Sequence, residues 1–144
     1  MDQINLEQAQ AIVAAALAEA RTRAMKPLAV AVLDARGALR AFGAEDGASL
    51  RRGDIAFGKA NGALALGLGS RALMRRAEDQ PSFIAAVTHA IGGSLIPVPG
   101  GVLVRAVAGG PVIGAVGISG DTSDNDEIAC IAGITSVGLN ADPG

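Results

Sequence analysis

One short segment constrains this chain more than any other. Residues 28–33 read Leu-Ala-Val-Ala-Val-Leu and close on Asp34-Ala35-Arg36-Gly37. An apolar run this short, bounded by turn residues, suits a strand buried on both faces. The turn after it sends the chain back, so residues 38–42 are predicted as its hairpin partner. A sheet with a buried central strand needs covers on both sides, and the rest of the sequence is read for them.

The first cover precedes the strand. Asn5 and Gln8 have the spacing of a capping box, in which each side chain satisfies a free backbone N–H of the other. Leu6, Ala9, Ile12, Val13, Ala16, Leu17 and Ala20 then recur at helical spacing, with Gln10, Glu19, Arg21 and Arg23 between them, until Pro27. After a loop at 43–49, Ser49 is predicted to cap a second helix over 50–66, carried by Ile55, Ala56, Lys59, Ala63 and Leu66. Gly58, Gly62 and Gly67 weaken that helix and so mark close backbone packing. Residues 70–76 and 83–91 read as shorter helical pieces, with Ser82 as a possible cap. From Ile96 the period changes. Pro97 to Gly101 is a turn, and 102–107 and 111–119 are strand-like, joined through Gly109-Gly110. A last helix follows residues 119–127, with Ile128, Ile131, Ile134, Thr135 and Val137 expected to face the core. The order α-β-β-α-α-β-β-β-α predicts an α+β fold around an antiparallel sheet. Residues 1–144 form a single domain without linker or repeat.

Composition removes whole classes of function. Apolar residues make up 50% of the chain, which excludes intrinsic disorder. Twelve basic residues stand against fourteen acidic ones, and Trp and Tyr are absent. The electrostatic surplus and the stacking platforms of a nucleic-acid binder are therefore both missing. A lone cysteine, Cys130, cannot make an internal disulfide, and a lone histidine, His89, cannot build a multi-histidine metal site. The start lacks a basic and apolar leader, and the early apolar run at 11–18 is too short for a bilayer. The expectation is a soluble, cytoplasmic protein with no membrane partner.

Few motifs carry chemistry. Gly67-Leu-Gly69-Ser-Arg-Ala72 fits a dinucleotide fingerprint in letters, but it follows a helix rather than a strand and reads as a helix break. Asp121, Asp124, Asp126 and Glu127 lack the glycine and glutamate positions of a calcium loop, and the helix macrodipole accounts for acids there. Arg51, Arg52, Asp54 and Lys59 lie on or beside the second helix. Solvated helix charges are the usual case, yet Lys59 is flanked by Ile55, Ala56, Ala60 and Ala63. A lysine on apolar surface can act as a base or bind a carboxylate. His89 sits in an apolar segment and is more often a core residue there than a ligand, but imidazole is the side chain suited to proton transfer near neutrality. Cys130 is expected to be buried and inert. No serine-nucleophile elbow appears.

Several segments, taken in order, resemble the GlcG/HbpS family. They are Ala29-Val-Ala-Val-Leu-Asp-Ala-Arg-Gly37, Glu45-Asp-Gly-Ala48, Lys59-Ala60, the turn from Pro97 to Gly101, Gly114-Ala-Val-Gly-Ile-Ser-Gly120, and Asp126-Glu127. The resemblance covers nearly the whole chain. It implies a profilin-like three-layer α-β-α arrangement with about five central strands, assembled into a homo-oligomer. Some members bind haem, and the related C-terminal domain of PduO-type proteins does so through a histidine near its start. This chain has no histidine in its first helix, which leaves His89, Met25, Met74 and Cys130 as soft axial donors.

Two functional readings follow. The first is a cofactor-free lyase or isomerase that moves protons on a small organic acid or aromatic catabolite. It assigns His89 or Lys59 as base or acid, Arg51 or Arg52 as the clamp on an anionic substrate, and Asp46 to orient a cation. Backbone N–H groups of Gly100 and Gly101, and of the helix start after Gly120, would bind an anion. The alternative is a haem- or tetrapyrrole-binding or sensing protein.

Overall fold

A computed structural model describes residues 2–144. Helix α1 spans Leu6–Thr22 and begins with the expected reciprocal cap: Gln8 N–H donates to Asn5 Oδ1 at 2.8 Å, and Asn5 N–H donates to Gln8 Oε1 at 3.1 Å. The buried run becomes β1, Ala29–Asp34, and its hairpin partner is β2, Leu39–Ala44. Asp34 fixes the turn by accepting the N–H groups of Arg36 and Ala38. Three helices follow: α2 (Arg52–Leu66), α3 (Ser70–Asp79) and α4 (Pro81–Ala90). Then come β3 (Gly101–Arg105), β4 (Val112–Ser119), α5 (Ser123–Ser136) and β5 (Asn140–Asp142).

The five strands form one antiparallel sheet in the order β2-β1-β4-β3-β5. Helices α1 and α5 cover one face and α2 covers the other, giving three layers. The two faces differ in kind because alternate residues of a strand point to opposite sides. Val30, Val32, Val102, Val104, Val116 and Ile118 meet Ile12 of α1 and Ile134 of α5 in the main core. The α2 face sets small residues, Ala29, Ala31 and Ala115, against Ala56, Ala60 and Ala63, alongside the buried Leu33 and Leu103. Gly117 lies so close beneath α2 that an added Cβ would overlap the Ala56 carbonyl, and at Gly101 it would overlap that of Lys59.

The structure corrects several expectations. The element order is α-β-β-α-α-α-β-β-α-β. The segments read as helical at 50–66, 70–76 and 83–91 and as strands at 102–107 and 111–119 are all present, so the expected order is one helix short and one strand over among them, and it lacks the closing strand. Strand β5 has only three residues, too few to show a period. Ser49 does not cap α2 with its side chain; its carbonyl accepts Arg52 N–H at 3.1 Å, and Arg51 is the cap position. Ser82 does not cap α4 either, because Pro81 occupies the first turn, where its missing N–H costs nothing. Helix α5 is capped by Thr122, which accepts Asn125 N–H. Ala129, Cys130 and Gly133 line its inner face beside Ile134, while Thr135 is exposed. Gly67 ends α2 in the left-handed conformation at φ 68°, so the fingerprint-like motif is a helix break.

Candidate functional site

The small residues of α2 bring its backbone onto the sheet and set Lys59 at the sheet's end. Its side chain passes Gly100, where a Cβ would stand 2.9 Å from Nζ. Lys59 Nζ donates to the Ile118 carbonyl at 2.8 Å and to Asp126 Oδ2 at 3.1 Å. Both side chains are only 2% exposed. The other Asp126 oxygen accepts Asp121 N–H at 3.0 Å. Burial raises the Asp126 carboxyl above its usual value, and the charge of Lys59 opposes that rise. The pair ties α2 to α5 around the end of β4. It is satisfied on every side, because no buried side-chain polar atom among the described residues lacks a partner.

The residues predicted around it are also engaged. Gly101 N–H donates to Ser70 Oγ at 2.7 Å, and the Gly100 carbonyl accepts Ile118 N–H. Cys130 is fully buried, its thiol donates to the same Gly100 carbonyl, and burial pushes that thiol well up, as an inert cysteine requires. Arg52 Nη1 donates to Ser119 Oγ at 3.0 Å and has no carboxylate within ion-pair range among the described residues. Arg51 pairs with Asp54 at 3.3 Å in solvent. Asp46 lies apart, in an open cleft with Arg21, Pro27 and Glu45. Asp121 is held at about 2 by N–H groups of Lys26 and Thr122 and by the Asn125 amide.

His89 stands elsewhere. Helix α4 packs chiefly on α3 and buries one residue, Ile84. His89 is exposed in its last turn, and the neighbouring positions on that surface, Ala85, Ala86 and Ala90, are exposed too. The expectation of a core histidine fails because nothing covers this face of α4. On the other side of the hairpin, Leu66, Leu68, Leu73, Arg76 and Phe83 line a cleft of about 120 Å³, and the Arg76 guanidinium lies 5.1 Å above the Phe83 ring. The fold thus brings Lys59 together with Gly100, Gly101 and Asp126, and it leaves His89, Asp46 and Arg51 each at a separate surface.

Sequence reasoning missed Asp126 as the partner of Lys59 and Ser70 as the partner of Gly101. The available signal was a lysine in a row of small helical residues, which leaves its charge nowhere to go but to a buried acid. Among the described residues no group of three or more His, Cys, Asp or Glu side chains is placed to hold a metal ion. Among the described residues no helix is long and apolar enough to cross a membrane.

Comparison with known proteins adds to this geometry. The family model described as "Haem degrading protein HbpS-like" matches residues 4–135. This chain belongs to the HbpS-like family. Among solved structures, the PduOC–haem complex aligns at a TM-score of 0.83 with 22% identity, over 96% of this chain and 97% of that one. The Klebsiella pneumoniae protein ORFY gives a TM-score of 0.83 and 25% identity, covering 96% and 92%. HbpS itself gives 0.80 and 24%, also covering 96% and 92%. No curated protein matches the sequence. The three-layer arrangement of this HbpS-like chain is therefore that of its relatives across almost its whole length.

Proposed function

We propose that this chain binds haem or a related tetrapyrrole, with His89 as the axial donor. The observation that carries the reading is the exposure of His89 on an uncovered face of α4. Of the other soft donors, Met25 is 5% exposed and Cys130 is fully buried with its thiol engaged. Met74 is half-buried on α3. The exposed imidazole is free to reach a ligand. Ala85, Ala86 and Ala90 leave an apolar floor beside it on which a planar macrocycle loses water contact. Arg75, exposed on the adjoining α3, has no carboxylate partner among the described residues and would pair with a propionate. Haem, when bound, supplies redox-active iron; the chain supplies the nitrogen ligand, the apolar floor and the cation. The family's description and the haem complex of the PduOC relative support the same reading.

A haemin titration followed by absorbance tests it. Saturable binding at one haem per protomer with a sharp, shifted Soret band is expected, weakened about tenfold or more in His89→Ala, on the scale of a lost metal ligand contact. Non-saturating binding, or binding unchanged in His89→Ala, overturns the reading.

The cofactor-free lyase or isomerase reading has one observation in its favour. Arg52 is a half-buried cation without a carboxylate, suited to clamp a small organic acid. It lacks a base beside that cation, since Lys59 is locked onto Asp126 and His89 stands on α4. Turnover of small hydroxy or aromatic acids that is lost in Arg52→Ala would restore it.

A further inference from the structure

We infer that the cavity between the β1–β2 turn, α2 and the end of α4 binds a small α-hydroxy acid, with Arg36 on the carboxylate and the Asn61 side-chain carbonyl accepting the hydroxyl proton. This site shares no residue with the haem face around His89 or with Arg52.

The turn carries an unbalanced charge. Asp34 is buried, and its Oδ1 accepts the N–H groups of Arg36 and Ala38 at 3.0 Å each. Its Oδ2 faces two guanidiniums at once, Arg36 Nη2 at 3.3 Å and Arg40 Nη1 at 3.8 Å. Burial opposes the charge on this carboxyl, but the N–H groups of Ala38 and Arg36 hold it below the usual carboxylate range, so it is ionised at neutral pH. One negative charge against two positive ones leaves a single positive surplus. Neither arginine has another carboxylate within ion-pair range among the described residues. The Arg36 side chain is 74% exposed, so its remaining N–H groups are open to a ligand.

Beside it lies a cavity of about 240 Å³ lined by Arg36, Gly37, Asn61, Leu64, Ala65 and Ile91. Asn61 sets the second requirement. Its side-chain amide donates to the Ser94 carbonyl at 2.9 Å. Only the NH₂ end can make that bond, which fixes which end of the amide is the oxygen. Oδ1 faces Gly37, where a Cβ would stand 3.7 Å from it, and it accepts no hydrogen bond from the described residues. A ligand that satisfies both groups carries an anionic acceptor with a hydrogen-bond donor next to it. Leu64, Ala65 and Ile91 give a short aliphatic body an apolar wall. An amino acid offers the same donor and acceptor, but its ammonium would sit beside the positive surplus, where a hydroxyl carries no such penalty. The charge therefore selects the hydroxy acid.

Amide chemical shifts of the intact, isotope-labelled protein, followed as α-hydroxyisocaproate is added, test the site. Saturable shifts at Arg36, Gly37, Asn61, Leu64 and Ile91 are expected, with half-saturation at about millimolar concentration, the scale for so small a ligand. Isocaproate, which lacks the hydroxyl, and leucine, which replaces it with an ammonium, should each bind about tenfold more weakly. Arg36→Gln should weaken binding about tenfold or more, while Arg40 remains to neutralise Asp34. Because Arg36 touches Asp34, a second variant leaves every hydrogen bond of the turn in place. Ala65→Glu, at an exposed position of α2, sets a carboxylate in the cavity wall and should block binding. Shifts that do not saturate overturn the site, as does binding unchanged in either variant. Isocaproate or leucine binding as tightly as the hydroxy acid overturns the role of the hydroxyl. Shifts that survive Arg36→Gln and vanish in Arg52→Ala would belong to the other cation and overturn the site as well.

Discussion

Lys59 and His89 were the two side chains that the sequence offered as acid or base, and the fold treats them in opposite ways. Lys59 stands where α2, β4 and α5 converge, and its Nζ is held by a carbonyl and a carboxylate out of contact with water. His89 stands on a helix that touches little besides α3, with alanines around it and solvent above. The first corner spends its polar group on joining two layers; the second leaves its polar group available. A scarce polar residue is therefore not a functional residue by virtue of scarcity. What decides is whether the layers of the fold close over it.

Three measurements break or sharpen this contrast. Removing one member of the buried pair should have the largest effect. Lys59→Met leaves Asp126 unpaired in the interior and should cost about 3–5 kcal/mol in denaturant unfolding. The double variant Lys59→Met/Asp126→Leu should recover much of that loss. If the single variant unfolds like the wild type, the corner is not a strut. Acidification gives an intermediate effect at the same corner. The backbone N–H groups of Lys26 and Thr122 hold the Asp121 carboxyl at about 2 in the fold, below its usual 3.8, so it releases its proton more readily when folded. Its stabilisation is present above pH 3.8 and is lost as the pH falls toward about 2. Asp121→Asn should accordingly flatten the acid side of the stability profile in that window. The smallest effect belongs to His89→Ala, expected to change stability by less than about 0.5 kcal/mol, the usual range for an exposed site. A larger loss would mean that His89 holds the hairpin and would weaken the contrast.

Much of the fold was legible because its strongest local signals agreed with the final packing. The Asn5–Gln8 cap, the β1 run with its Asp34 turn, and the glycine break at Gly67 each rest on interactions within a few residues. What escaped depends on distant groups. Strand β5 is a strand only because β3 offers it a ladder. Ser49 and Ser82 have the right chemistry for caps, but one is displaced by the path of the chain before α2 and the other by Pro81. The GlcG/HbpS resemblance and the layered α+β plan read from the sequence agree with the HbpS-like family match and its neighbours. The candidate site was far less legible. The partners Lys59–Asp126 and Ser70–Gly101 are separated along the chain by dozens of residues, and spacing alone carries no trace of them.

The glycines beneath α2 carry one more consequence, for motion. Most helices rest on a sheet through a layer of side chains that yields under load. At Gly117 and Gly101 that layer is missing, and the carbonyls of Ala56 and Lys59 sit directly on the strands. Helix α2 and strands β3 and β4 therefore share one stiffness and move as a single plate. Amide order parameters along α2 should follow those of the sheet, and the amplitude should rise only beyond Gly67, where the α3–α4 hairpin hangs from the plate's edge.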